Sequence, residues 1–424
     1  MTTGPTTERQ RHQILDALRG FALMGIALAN YPEFSLWTFL PAEAQAAMPT
    51  AAADRLVRLL HYLLVDGKFY TIFSLLFGVG FSLILSRHGS RLFLRRMLIL
   101  VCIGFLHLMF LWSGDILLLY AVGGLLLPLF IRLTDRALLY AALLLIFISV
   151  GLDALTEFAG VDFAAPFYAA WWQHATAEGI TEENFASWLR DAHTYPQMFA
   201  FLVQGAYERM WEFVEGHRLP KVLGLFILGY LVGKHRLYAR LEELPLRRLL
   251  RCSLLVGAPT SLLYAWSAVS GRPWGLTAHS LLYAVSVIPL AFAYISAFAL
   301  VFVRTSASSV LNMAISSASS VSDSKSAHTL LYKILRKIFS MLAAPGRMAL
   351  SNYIGQTLIG ILLFYGLGFG LGTTFGLIHV VLTALAVFLL QILLSRLWLR
   401  HFRFGILEWL WRMLTYGRYF PIRR

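Results

Sequence analysis

The sequence predicts an all-α protein, a polytopic transmembrane helical bundle of about ten spans with both termini in the cytoplasm, built as one domain over residues 1–424. Three observations predict it. Hydrophobic residues make up 58% of the chain and charged residues 14%, with a mean hydropathy of +0.67, more apolar surface than a soluble globular chain can bury. The apolar residues fall in runs near the ~20 residues that carry a helix across a hydrocarbon core. Lysine and arginine collect between alternate runs, which is the pattern of cytoplasmic loops. The net charge of +14 is therefore read as membrane topology rather than as affinity for nucleic acid.

The first run, 14–31, reads ILDALRGFALMGIALANY. Charge inside a spanning helix is costly and tends to be kept for a purpose. Asp16 and Arg19 stand three apart and can pair on one helix face. Asn30 is eleven residues beyond Arg19, about three turns, so both point the same way, about 16 Å apart along the axis. Arg9 and Arg11 give this run the flank of a signal peptide. The charges at Asp16 and Arg19 interrupt it, however, and the triplet Ala44-Gln45-Ala46 lies well past its end, so an uncleaved span is expected.

The further spans are placed at 63–86, 95–113, 115–131, 136–152, 219–234, 249–269, 276–303, 347–369 and 374–395. Alternation from a cytoplasmic N-terminus puts four strongly basic segments inside: Arg87, Arg91, Arg95 and Arg96; Lys234 through Arg251; Arg304 through Arg347; and the tail from Arg396. Residues 153–218 are left as a long extracytoplasmic loop. Its later part, YPQMFAFLVQGAYERMWEFVEGH, has helical apolar spacing suited to an interface or a cap on the bundle. Residues 304–346, rich in serine and alanine, are expected to be a flexible cytoplasmic linker leading into a basic amphipathic piece, LLYKILRKIFSML.

Two sets of polar groups stand where apolar ones belong. In the outer half Asn30, Asp66, Lys68, His107, Asp115, His279 and His379 share one level on six spans. A neutral histidine beside a carboxylate is the usual pairing for a general base, which singles out His107 with Asp115. Each also has a plain reading: His107 bonded to a backbone carbonyl, Asp115 capping a helix, Lys68 snorkelling outward, and His279 and His379 solvated at helix ends. In the inner half Arg347 stands at the membrane boundary, and Asn352 and Gln356 share a helix face two turns further in, at about the depth of Asp16 and Arg19. They read either as interhelical hydrogen-bond glue or, with Arg19 and Arg347, as a path for a phosphate-bearing anion. Cys102 and Cys252 lie in apolar runs without metal-ligand spacing and read as small buried hydrophobes, and no metal is expected. No phosphate-binding glycine loop, HExxH or GxSxG is present.

The segments ILDALRGFALMGIALAN, DGKFYTIFSLLFGVGFSL, WSGDILLLYAVGGLLLP, GRMALSNYIGQTLIGILLFYG and FRFGILEWLWRMLTYGR together resemble the YeiB family of bacterial inner-membrane proteins, catalogued as a domain of unknown function. That family is similar in turn to the transmembrane acyltransferases, which move an acyl group from cytoplasmic acyl-CoA to an acceptor on the far side. The resemblance implies a multi-pass protein of the inner (plasma) membrane with acyl-CoA as donor substrate. Its expected partners are membrane lipids, a glycan or lipid acceptor and, if the chain self-associates, a second copy in a homodimer. Arg19 and Asn30 fit the LDxxRG pattern and its following asparagine. The O-acetyltransferase members carry histidine at the position of Asn30, so in this chain the base falls to His107 or His61. On this reading Arg19 and Arg347 hold donor phosphates, Asp16 fixes Arg19, Asn30 hydrogen-bonds the reacting carbonyl, and His107 with Asp115 deprotonates the acceptor. A transporter of a small anionic or lipidic solute, or a non-catalytic membrane partner, would use the same polar groups without bond chemistry.

Overall fold

The computed structural model describes residues 12–316 and 324–424, and among these it contains helices and no β-strand, with one isolated bridge between Phe402 and Arg423. The helices are α1 (Gln13–Phe34), α2 (Ala42–Ala46), α3 (Ala51–Leu64), α4 (Lys68–Phe110), α5 (Leu117–Leu126), α6 (Asp135–Ala159), α7 (Ala165–Ala177) and α8 (Phe185–Asp191). They continue with α9 (Tyr195–Glu215), α10 (Arg218–Lys234), α11 (Leu246–Val269), α12 (Gly275–Ser316), α13 (Ser324–Arg347), α14 (Ala349–Phe364), α15 (Leu377–His401) and α16 (Ile406–Tyr416).

Among the described residues six helical stretches are long and apolar enough to cross a membrane: α1, the α3–α4 stretch, α6, α11, residues Gly275–Thr305 of α12, and α15. Leu117–Phe130 and Ala349–Phe364 are shorter apolar helices. Each of the ten sequence-predicted segments is mostly helical. The second and third fall in α4, which Gly89 (φ 75°, ψ 178°) breaks into two arms, a conformation that glycine reaches without strain. The outward faces are apolar, with Leu144, Leu255, Leu389 and Leu393 all exposed, as lipid contact requires. Cys102 and Cys252 lie on this exposed surface rather than in the core.

One segment differs from expectation. Residues 304–316 continue α12, and 324–347 form α13, so most of the interval expected to be a flexible linker is helical; 317–323 lie outside the described residues. The interval carries no proline before Pro345 to break a helix, and α13 has a tertiary face. Phe339 and Ala343 are buried against Phe298 and Phe302 of α12 and Ala17 of α1. α1 and α13 meet through glycines. A Cβ on Gly20 would lie 1.9 Å from the Leu342 carbonyl oxygen, and one on Gly346 1.9 Å from that of Asp16. Small residues let the two backbones touch, and they set Asp16, Arg19 and Arg347 side by side.

The 153–218 interval, expected to carry a helical piece in its later part, contains α7, α8 and α9. α7 and α9 pack through Trp171, stacked on Trp172 and Trp211, with Trp171 Nε1 donating to Gln204 Oε1 at 2.5 Å. α9 begins with a capping box, Thr194 with Gln197. It then covers the end of α4: Tyr195 donates to the Phe110 carbonyl at 3.0 Å and Arg209 Nε to the Ser113 carbonyl at 2.8 Å. Of the two readings, interface or cap, the contacts are those of a cap.

Candidate functional site

α1, α4, α14 and α16 enclose a cavity of about 310 Å³. One end is basic, lined by His12, Arg19, Arg87, Arg96, Arg347 and Arg412 with the carboxylates Asp16 and Glu408. The α1 and α14 residues that follow, Leu23 and Ile26 on one side and Leu350 and Tyr353 on the other, carry the cavity inward between Phe73, Phe77, Leu100, Ile116 and Tyr120. A ligand that fits has several negative charges at one end and an apolar or weakly polar arm.

The basic end is held by specific contacts. Arg19 Nη1 donates to Asp16 Oδ1 at 2.9 Å. The Arg96 guanidinium lies 3.6 Å over the Trp411 ring, whose Nε1 donates to the Arg96 carbonyl at 3.0 Å. Arginine stacks on an aromatic face without losing its charge, so Trp411 fixes where that charge sits. Glu408 accepts from Leu350 N–H (2.7 Å), Ser351 N–H (3.1 Å) and Ser351 Oγ (2.6 Å). It thereby caps the first turn of α14, where the helix dipole favours a negative charge.

Past the inner end lies the expected histidine–carboxylate pair. His107 Nδ1 and Asp115 Oδ1 are 2.8 Å apart, and both residues are 1% exposed. The second carboxylate oxygen of Asp115 accepts Leu118 N–H at 2.7 Å, so the capping role expected of Asp115 and the histidine partnership are both present. His107 Nε2 is 3.0 Å from Thr357 Oγ1 on α14, and its ring centre is 5.3 Å from that of Tyr353. Tyr353 thus stands between cavity and imidazole.

On the other side of the pair is a smaller chamber of about 70 Å³ lined by Glu33, Glu208, Glu212, Arg209, Trp112 and Tyr365. Arg209 pairs with Glu212 and lies 3.8 Å from Glu33. Glu208 faces this chamber rather than bulk water. Burial pushes its carboxyl well above the ordinary range, Glu212 adds to the effect, and Arg209 opposes it. The unfolded chain releases that proton near pH 4.5 while the folded chain keeps it. Above that pH the folded state therefore binds more protons, and stability falls as pH rises through the gap. Glu208→Gln lessens the fall. Thermal unfolding followed from about pH 5 to about pH 8 should show the variant gaining on the parent as pH rises; a constant difference would contradict this.

Of the sequence-predicted residues, the structure brings together His107 with Asp115, and Asp16 with Arg19 and Arg347 in the cavity. Asn352 and Gln356 do not join them. Asn352 Nδ2 donates to Ser395 Oγ (2.9 Å) and Gln356 Nε2 to Gln391 Oε1 (2.9 Å), so both face α15 and act as interhelical glue. Asn30 is half-buried and lines neither cavity. The stripe on α1 is interrupted beyond Ile26, where Tyr31, Phe34 and Trp112 pack together, Phe34 and Trp112 at 4.2 Å. Lys68 does not reach outward. It is fully buried, donates to the Tyr62 carbonyl at 2.6 Å and sits 5.1 Å over the Tyr264 ring. Asp66 accepts from the Tyr264 hydroxyl at 2.5 Å, and His279 pairs with Ser267 at 3.0 Å. His379 is exposed. Among the described residues no cluster of three histidine, cysteine or acidic side chains is placed to hold a metal. Sequence reasoning missed Thr357, Tyr353, Arg96, Glu408 and Trp411. The only signal for the last two was their place in the terminal FRFGILEWLWRMLTYGR, and Thr357 follows Gln356 directly in SNYIGQTLIG.

Fold and site define a helical membrane protein with a basic cavity that ends against a buried histidine–carboxylate pair. The chain is 30% identical over 423 residues to the uncharacterized protein YeiB of Escherichia coli (strain K12), 96% of each chain, and it belongs to the YeiB family. Residues 326–418 match the family described as "Protein of unknown function (DUF418)". The chain is similar to the uncharacterized protein YxaH of Bacillus subtilis (strain 168), 27% identical over 439 residues, 99% of this chain and 98% of the relative. It is also similar to an uncharacterized 39.9 kDa protein in the amylase 3′ region of Bacillus acidopullulyticus, 28% identical over 427 residues, 99% and 97%. No solved structure matches the chain.

Proposed function

We propose that this protein is a ten-span inner-membrane acyltransferase with both termini in the cytoplasm, which moves an acyl group, acetyl being the simplest, from cytoplasmic acyl-CoA to a glycan or lipid acceptor. The observation that carries the reading is the cavity: arginines gathered at one end, an apolar arm, and a histidine–aspartate pair one aromatic ring beyond the other end. Arg19, Arg96, Arg347 and Arg412 suit the phosphates of the donor, and the arm suits its pantetheine and acyl group. His107, oriented by Asp115, is the base that takes the acceptor's proton. The carboxylate-lined chamber beyond Trp112 is the natural seat for hydroxyl-bearing acceptors, which donate hydrogen bonds to carboxylates.

The test uses purified protein in lipid nanodiscs with acetyl-CoA and candidate glycans, following CoA release and the acylated product. Arg96→Ala and Arg347→Ala each remove a charge-assisted contact of ~1.5–3 kcal/mol, so donor KM should rise about ten- to a hundredfold with little change in kcat. Neither CoA release nor product from any donor–acceptor pair would end the reading. Solute flux into proteoliposomes without product would point to the transporter alternative instead.

A further inference from the structure

Resting on that reading, the geometry points to Thr357 as a nucleophile that carries the acyl group covalently between the two sides. With Asp115 as the accepting carboxylate, the His107 tautomer that carries its proton on Nδ1 turns the lone pair of Nε2 toward Thr357 Oγ1, 3.0 Å away, and the hydroxyl can donate to it. Hydroxyl, imidazole and carboxylate thus stand in the order that activates a nucleophile: base within reach of the hydroxyl, and base oriented by a third group. All three side chains are about 1% exposed, in a site from which bulk water is excluded.

A threonine inside an apolar helix ordinarily returns its hydroxyl to the carbonyl four residues back. Thr357 instead bonds to a histidine 250 residues earlier in the chain, although a weakly polar packing contact would hold the helices equally well. Its place fits a relay. Thr357 is one turn from Tyr353 on the same face of α14; Tyr353 lines the basic cavity, and Trp112, whose ring is 6.3 Å from that of His107, lines the opposite chamber. Rotation of the Tyr353 ring would open the hydroxyl to the donor, and displacement of Trp112 would open it to the acceptor.

In the first half-reaction Thr357 Oγ attacks the thioester carbonyl carbon, its proton passes to His107 Nε2, the C–S bond breaks, and the leaving thiolate takes that proton. In the second, an acceptor hydroxyl attacks the threonyl ester and gives its proton to Nε2. The C–Oγ bond then breaks and Thr357 Oγ recovers the proton. Nothing is oxidised or reduced, and the net change is transfer of one acyl group from sulfur to oxygen.

The experiment incubates the full-length protein in nanodiscs with radiolabelled acetyl-CoA and no acceptor, quenches in acid, and locates label by peptide mass spectrometry. The expected result is a stoichiometric acetyl ester on the peptide carrying Thr357, retained in Thr357→Ser. In Thr357→Val, a nearly isosteric change, the ester should be absent and transfer slower by about 10³-fold or more, with CoA affinity unchanged. Acceptor acylation that proceeds at the parent rate in Thr357→Val, with no ester in the parent, would overturn the relay and leave direct transfer in its place. A parent protein that transfers acyl groups from no donor would remove the acyltransferase reading and the relay with it.

Discussion

A His107→Gln chain should bind acyl-CoA as tightly as the parent and transfer its acyl group about 10²–10⁴-fold more slowly. Glutamine is chosen because it keeps a hydrogen-bond donor toward Asp115. Alanine would leave Asp115 Oδ1 buried without its partner, at ~1–3 kcal/mol, and confuse lost chemistry with lost folding. Binding survives because the groups gathered for the donor, Arg19, Arg96, Arg347 and Arg412, line the far end of the cavity and His107 does not. Asp115→Asn should fall in the same range, since an amide can present its N–H to the imidazole and hold the wrong tautomer. Titration calorimetry with a non-reactive CoA thioether measures the first quantity and product formation the second. Transfer within a few-fold of the parent in His107→Gln would mean that the buried pair is structural.

The largest effect on stability is expected at the seam between α1 and α13. In Gly346→Ala the new carbon would lie 1.9 Å from the Asp16 carbonyl oxygen and 2.7 Å from the Gly20 amide nitrogen. Both are backbone atoms of a packed helix and cannot swing aside as a side-chain tip can. Overpacking of a core typically costs ~1–3 kcal/mol, and here relief requires parting two helices. A fall of several degrees in melting temperature should accompany a weaker donor affinity, because Asp16, Arg19 and Arg347 are set by the same contact. Gly20→Ala should act alike, and the double variant should lose less than the sum, since the first substitution has already opened the seam. Gly151→Ala is the control: nothing lies within 4 Å of a Cβ there, and a helical alanine for glycine is neutral or favourable. Equal melting temperatures for Gly346→Ala and Gly151→Ala would show that the seam is not tight.

The all-helical fold was legible because hydropathy reports on solvent directly, and each of the ten apolar runs is mostly helical, six helical stretches among the described residues being long and apolar enough to span. The histidine–aspartate pair was legible as a candidate. What joins it is the short turn Leu111–Gly114, which folds Asp115 back toward His107, and residue spacing alone does not show such a reversal. Asn352 and Gln356 show the limit of periodicity: two amides on one helix face are certain to share a neighbour, but which neighbour depends on how α14 is rotated in the bundle, and here it is α15. The serine- and alanine-rich interval looked like linker because composition was weighed over helix propensity, and the face of α13 that meets α1 becomes apolar only toward its end. Arg96 and Trp411 lie 315 residues apart, so their stacking left no local trace.

The seam has a consequence for how the chain is made. α1 is synthesised well before α13, α14 and α15, yet much of its packing is with those three helices. Through most of translation the helix bearing Asp16 and Arg19 waits with its small-residue face uncovered. Its earlier-made neighbours include α4 and the Trp37–Phe39 turn, and its own two charges pair with each other. The full packing of α1 therefore waits on helices made more than 300 residues later in the chain, a long-range closure rather than a local one.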